Sequence, residues 1–135
     1  MATPAPTAPR IRRLSAVEID SYDVLPPELA RRVRLIRVRL LFLVGPYQGM
    51  TLGRIILLRD SLPPDGWSGL LAHELVHVRQ WTELGVIGFS YRYLRDFVAG
   101  LVRTRSWNQA YLDIEAEREA RELTKSWFRR RNPTE

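Results

Sequence analysis

The chain has no cysteine. Disulfides and thiolate metal sites are therefore excluded, and any metal must be held by nitrogen and oxygen. Histidine is nearly as scarce, with His73 and His77 the only two among 135 residues. Lysine occurs once, at Lys125, so 20 of the 21 basic residues are arginine. No long apolar segment precedes the first charges, which argues against a secretory leader. The longest largely apolar stretch, residues 84–102, is broken by Arg92, Arg95 and Asp96, which a lipid-facing span would not carry unpaired. These absences predict a soluble, cytoplasmic protein with no transmembrane segment.

What is present is the material for one domain, since 45% of the residues are apolar and a chain of this size buries a modest core. Residues 1–14 are rich in Pro, Ala and Arg and read as a disordered tail; residues 129–135 read as a flexible one, leaving 15–128 as the folded unit. The net charge of +6 raises nucleic-acid binding, with the arginines of residues 31–39 as a phosphate-contacting strip. Against it, the skew from lysine to arginine is what a GC-rich coding sequence yields whatever the function. No basic-aromatic repeat, helix-turn-helix or RNA module accompanies the charge, and alternating arginine also protects a strand edge from aggregation. Nucleic acid is not the expected partner.

Local patterns predict an α+β fold, mainly helical, with one β-hairpin ahead of the histidine-bearing helix. Pro26-Pro27-Glu28-Leu29 has proline and an acid in a first turn and starts a short helix. From Arg34, Arg37 and Arg39 alternate with Ile36, Val38 and Leu40, and Leu40-Leu41-Phe42-Leu43-Val44 follows as a buried run, which together read as a strand. Gly45-Pro46-Tyr47-Gln48-Gly49 is a turn, and residues 51–58 form a second strand that pairs with the first as the hairpin. After a loop over residues 60–66, Ser68 caps a helix running to about Glu83. A second helix follows Gly85 or Gly88, placing Phe89, Tyr93, Leu94, Phe97 and Val98 in the core. A last helix runs from about Ser106 to about Trp127 with Ala110, Ile114, Ala120 and Leu123 on its apolar side.

The chemistry is concentrated in His73-Glu74-Leu75-Val76-His77. Histidines four apart on a helix project from one face a turn apart and can share one metal ion, while Glu74 lies about one hundred degrees round the helix. In such an arrangement both imidazoles ligate zinc, and the carboxylate between them takes the proton of the attacking water. Surface decoration is the plain alternative. It is disfavoured because Leu70, Leu71, Leu75, Val76 and Val78 make this a sunken helix, where two unpaired histidines are costly and a metal satisfies both.

An open zinc site needs a third protein ligand. Without cysteine or a third histidine it must be a carboxylate, and Asp96, Asp113, Glu115, Glu117, Glu119 and Glu122 lie downstream. Periodicity favours Glu117, which is flanked at three residues by Ile114 and Ala120, whereas Glu115 and Glu119 point elsewhere on the helix. Asp96, between apolar neighbours on another helix, remains a rival. The acidic run also reads as a solvated face with pairs such as Glu117 to Arg121. Tyr111, one or two turns before Glu117, is a candidate to stabilise an oxyanion, against the alternative of a packed aromatic.

The segment His73-Glu74-Leu75-Val76-His77-Val78-Arg79-Gln80 resembles the zincin-like peptidase domain of proteins associated with extracellular contractile injection systems. Gly49-Met50-Thr51-Leu52-Gly53-Arg54-Ile55-Ile56 is similar to the strand preceding the zinc helix there, and Glu117-Arg118-Glu119-Ala120 resembles the Glu-x-Glu-Ala element of related gluzincins. The resemblance covers roughly residues 49–123. It implies a zincin-like fold, one Zn²⁺ on His73, His77 and Glu117, and hydrolysis of a peptide or protein substrate. The chain departs from the gluzincin pattern at Arg121, where an aspartate four residues after the ligand glutamate is common, so a carboxylate that orients a histidine is missing or comes from elsewhere.

The expectation is therefore a small zinc-dependent metallopeptidase with Glu74 as general base. A catalytically silent zinc-binding interaction or cargo module is the first alternative, and a basic nucleic-acid-binding protein the second. A chain this short leaves little room for a second lobe. That predicts an open cleft, a tail lying over the metal, or a partner protein that completes the site. Arg79 and Gln80 read as structural polar contacts and Trp81 as core.

Overall fold

In the computed structural model the described residues are 11–38, 49–59 and 69–131. Residues 1–10 and 132–135, the greater part of the two expected tails, lie outside them, as do the run 40–44, the loop 60–66 and the expected cap Ser68. The folded part nevertheless begins earlier and ends later than the composition suggests. Strand β1 (Ile11–Arg12) pairs antiparallel with strand β2 (Arg34–Val38), and Leu14 enters the core. The reason lies in Ser15-Ala16-Val17-Glu18, a capping box that opens helix α1 (Ala16–Ser21). Ser15 Oγ accepts from the Glu18 amide at 3.2 Å, and Glu18 accepts from the Ser15 amide at 2.8 Å. The same carboxylate receives Arg12 through two bonds of 2.7 and 3.0 Å, so one glutamate ties strand to helix. At the other end, Arg130 bonds Asp23 and Arg131 bonds the Ser21 carbonyl, so the last helix continues to Arg131.

Pro26 and Pro27 start the short helix α2 (Pro27–Ala30), as their fixed φ allows. The strands then differ from expectation in pairing. β2 runs parallel to strand β4 (Ile55–Arg59), in register from Arg34 opposite Ile55 to Val38 opposite Arg59. The hairpin lies inside the segment that reads as one strand. Strand β3 (Gly49–Leu52) turns through Gly53 and Arg54 and pairs antiparallel with β4. Gly53 has φ 65°, a conformation that glycine adopts without a Cβ penalty. The mixed sheet has the order β1-β2-β4-β3, leaving β3 on an edge.

Helix α3 (Gly69–Thr104) is broken at Gly85, whose φ of 75° and ψ of 165° belong to a region reserved for glycine. Its first limb, residues 69–84, packs between β3 and the last helix and buries Leu71, Ala72, Leu75, Val76 and Val78. The second limb, residues 86–104, buries only Phe89 and Gly100. Tyr93 and Phe97 are half-buried, but Leu94 and Val98 are exposed, not core as their spacing suggests. The limb meets the rest of the domain along one side, where Gly100 faces Ala110 so closely that a Cβ would stand 3.1 Å from the Ala110 Cα.

The expected last helix is two. Ser106 caps α4 (Trp107–Leu112) by accepting from the Gln109 amide at 3.1 Å, and after buried Ile114 α5 (Glu115–Arg131) begins. Ala110, Ile114 and Ala120 are fully buried and Leu123 packs against the core. Trp127 closes the structure, stacked on Tyr22 at 5.0 Å with its Nε1 donating to the Ser21 carbonyl. The architecture is a mainly helical α+β domain, and no helix among the described residues is long and apolar enough to cross a membrane.

Candidate metal centre

The first limb of α3 presents His73 and His77 one turn apart towards the first turn of α5, which carries Glu117. Break and register matter here. Because the chain ends α4 and restarts after Ile114, Glu117 falls three residues past a buried anchor and points inward with Ala120. His73 Nε2 and Glu117 Oε2 are 2.9 Å apart, His77 Nε2 and Glu117 Oε1 3.2 Å, and the two Nε2 atoms 3.2 Å. His77 and Glu117 are buried and His73 is half-buried. Metal bonds of about 2.0–2.1 Å in a tetrahedron set ligand atoms about 3.3 Å apart. The spacing of these three donors fits one such ion, and the group can hold a metal.

The tautomers fit as well. His77 Nδ1 lies 2.7 Å from Gln80 Oε1, while Gln80 Nε2 donates to the Ala116 carbonyl at 3.0 Å and to Glu119 at 2.9 Å. These donations fix the amide's orientation, so its oxygen accepts from Nδ1–H and leaves the Nε2 lone pair of a neutral His77 for a metal. Gln80 thus supplies the contact that orients the His77 ring. Arg121 points away from the cluster, donating to the Leu112 carbonyl at 2.5 Å and linking α5 to α4. Tyr93 donates to Glu117 Oε1 at 2.8 Å.

Electrostatics bind the cluster together. Burial opposes charge on His77, but the hydrogen bond and charge of Glu117, then the charge of Glu74 and the bond to Gln80, outweigh it and raise its pKa. Burial likewise opposes ionisation of Glu117, yet hydrogen bonds and charge from His73 and His77 hold it far below the usual carboxylate range.

Glu74 is buried beside this group without being part of it. Thr51, on edge strand β3, donates to its Oε2 at 2.7 Å, with the Glu74 carbonyl also near at 3.1 Å. Glu74, His77 and Glu117 line one cavity of about 460 Å³ whose walls include Met50, Leu52, Trp81, Phe89, Leu94 and Tyr111. Trp81 is half-buried and stacks on Phe89 at 4.3 Å, a wall of this cavity as much as core. A larger depression of about 860 Å³ beside α1 and α2 holds Asp20 and Asp23 but none of the ligating group.

The rival carboxylates stand apart from the cluster. Asp96 accepts from the Glu115 amide at 3.3 Å and so caps α5. Glu115 is exposed near Arg118, Asp113 accepts from Arg103 and Gln109, and Glu122 is exposed near Lys125. Glu119 receives Arg79 at 3.0 Å as well as Gln80, so it supports the site from behind. Arg79 also reaches the Val24 carbonyl, which makes it a structural contact as its position suggests. Thr51 and Tyr93 were not distinguishable as site residues: a threonine between apolar strand residues and a tyrosine at core spacing carry no local mark of the carboxylates they meet.

No protein-family model, curated protein or solved structure matches the chain.

Proposed function

We propose that the protein is a zinc-dependent hydrolase of peptide bonds acting on a peptide or protein substrate. The observation that carries this reading is Glu74, a buried carboxylate that lines the same cavity as His77 and Glu117 but is not one of the three residues that can hold a metal. A two-histidine, one-carboxylate set leaves a coordination position open, and zinc held there lowers the pKa of water and polarises a carbonyl. Glu74 accepts the proton of the attacking water and returns it to the leaving amine nitrogen as the C–N bond breaks, giving a carboxylate and an amine. Thr51 fixes the rotamer of Glu74 through Oε2, and the second carboxylate oxygen takes the proton. Tyr111, on the cavity wall, is assigned to the developing oxyanion.

The test is zinc content by elemental analysis of protein purified without a metal-affinity tag, followed by a peptide-library assay. Wild type and Glu74→Gln are expected to carry one zinc per chain, and His77→Ala and Glu117→Ala to lose it. Peptide cleavage should fall by roughly 10²–10⁴-fold in Glu74→Gln. Zinc binding with no cleavage makes the domain a silent zinc module that acts through a partner, and cleavage indifferent to Glu74 removes Glu74 as the general base. Absence of zinc binding removes the hydrolase reading, and salt-dependent nucleic-acid binding is then the next property to measure.

A further inference from the structure

The second limb of α3 carries a line of exposed apolar side chains that no other described residue buries. Ile87, Tyr91, Leu94, Val98 and Val102 recur at steps of three and four residues, and their exposures are 86, 66, 63, 48 and 75%. Such a stripe is ordinarily the buried side of a helix, and here the buried side is a different one, marked by Phe89 and Gly100. Over the fifteen steps from Ile87 to Val102 the stripe is about 22 Å long. Beside it stand Arg92, Arg95, Arg103 and Arg105, all exposed, against one acid on the same limb, Asp96, whose second oxygen accepts from the Glu115 amide. Arg95 and Arg103 do reach Asp96 and Asp113, but surface pairs of this kind hold weakly and leave the field positive.

We propose that this face docks on an anionic phospholipid surface, with the stripe in the headgroup boundary and the arginines against the lipid phosphates. An apolar line flanked by arginine is the pattern of a helix lying in a membrane interface. Tyr91 and Trp107, both 66% exposed, add aromatic rings that favour that boundary, and Trp107 is held edge-on against Phe97 at 4.8 Å. The limb lies on such a surface without crossing it, since it is neither long nor apolar enough to span. A second copy fits less well, because it would bring two sets of four arginines together with only Asp96 and Asp113 of each copy to meet them. Leu94 belongs both to the stripe and to the metal cavity, so docking sets that cavity beside the membrane.

Co-sedimentation of the full chain with vesicles of phosphatidylcholine, alone or mixed with phosphatidylglycerol, tests this. The expected result is partitioning at least about tenfold stronger onto the anionic vesicles and weakened by salt. Ile87→Asp combined with Val102→Asp should reduce it by about tenfold or more while zinc content is unchanged. Arg92→Glu with Arg105→Glu, which leaves the apolar residues in place, should abolish the preference for anionic lipid and keeps the test valid if the aspartate variant unfolds. No vesicle binding, or binding that neither variant alters, overturns the proposal. So does a dimer seen by light scattering and dissolved by the aspartate variant, which assigns the stripe to a second copy.

Discussion

The two limbs of α3 are one chain segment with opposite fates. Residues 69–84 have the sheet on one side and α5 on the other, so even polar Glu74, His77 and Gln80 are buried and bonded. Residues 86–104 are more uniformly apolar, yet most of their large side chains face outward. Hydrophobicity alone does not decide burial; the number of elements that pack on a helix does. The residues that can hold a metal sit where packing is complete, with neighbours that hold each rotamer.

The strongest way to break this contrast is to truncate one apolar side chain on each limb. Leu75 is fully buried, so Leu75→Ala should destabilise the protein by about 2–5 kcal/mol through lost transfer energy and a residual cavity. Val98→Ala, on the outer stripe, should stay within about 0.5 kcal/mol. Denaturant midpoints of the two variants against wild type decide it, and comparable losses would mean that the second limb is as tightly covered as the first.

A second, smaller effect sharpens the account of the first limb. Gln80→Ala removes the acceptor at His77 Nδ1 while leaving all three ligands, and zinc affinity should fall about 10–100-fold. Gln80→Glu, which keeps an acceptor for Nδ1 but sets its other oxygen against the Ala116 carbonyl and Glu119, should recover only part of the loss. Competition with a chromophoric chelator measures both. An alanine variant that binds zinc like wild type would show that packing, not the Gln80 amide, orients the imidazole.

How much of this was legible in the sequence follows from the range of each signal. His73, Glu74 and His77 are a local pattern on one helix, and the absence of cysteine and further histidine forces a carboxylate as third partner. Glu117 was reachable because Ile114 and Ala120 set its face. The β2 partner was not: alternation gives the face of a strand but not its neighbour, and the parallel pairing with β4 depends on a hairpin hidden at Gly53-Arg54. The capping box at Ser15 was a readable sign that the fold starts early, since it shows where the chain is pinned. The exposed stripe was not readable, because spacing marks an apolar face without telling whether anything lies opposite.

The smallest of the three effects is the pH dependence of the first limb, and its sign differs between the metal-free and zinc-loaded protein. His77 has a raised pKa in the metal-free fold, so its pairing with Glu117 stabilises fully below about 6.5, its ordinary value, and is lost as pH rises through the raised one. Glu117 has a lowered pKa, so its contribution is present above about 4.5 and is lost only as pH falls through the depressed value. The metal-free protein should therefore be most stable in the mildly acidic range, and its Tm should drop from there towards alkaline pH. Zinc needs the same imidazole neutral, so the rise in Tm on adding zinc should grow over the same interval as the proton leaves. Thermal scans with and without zinc from pH 5 to pH 8.5, repeated on His77→Gln, measure both trends. A zinc-induced shift that is constant with pH, or a metal-free profile that His77→Gln leaves unchanged, would remove His77 from the proton balance of the site.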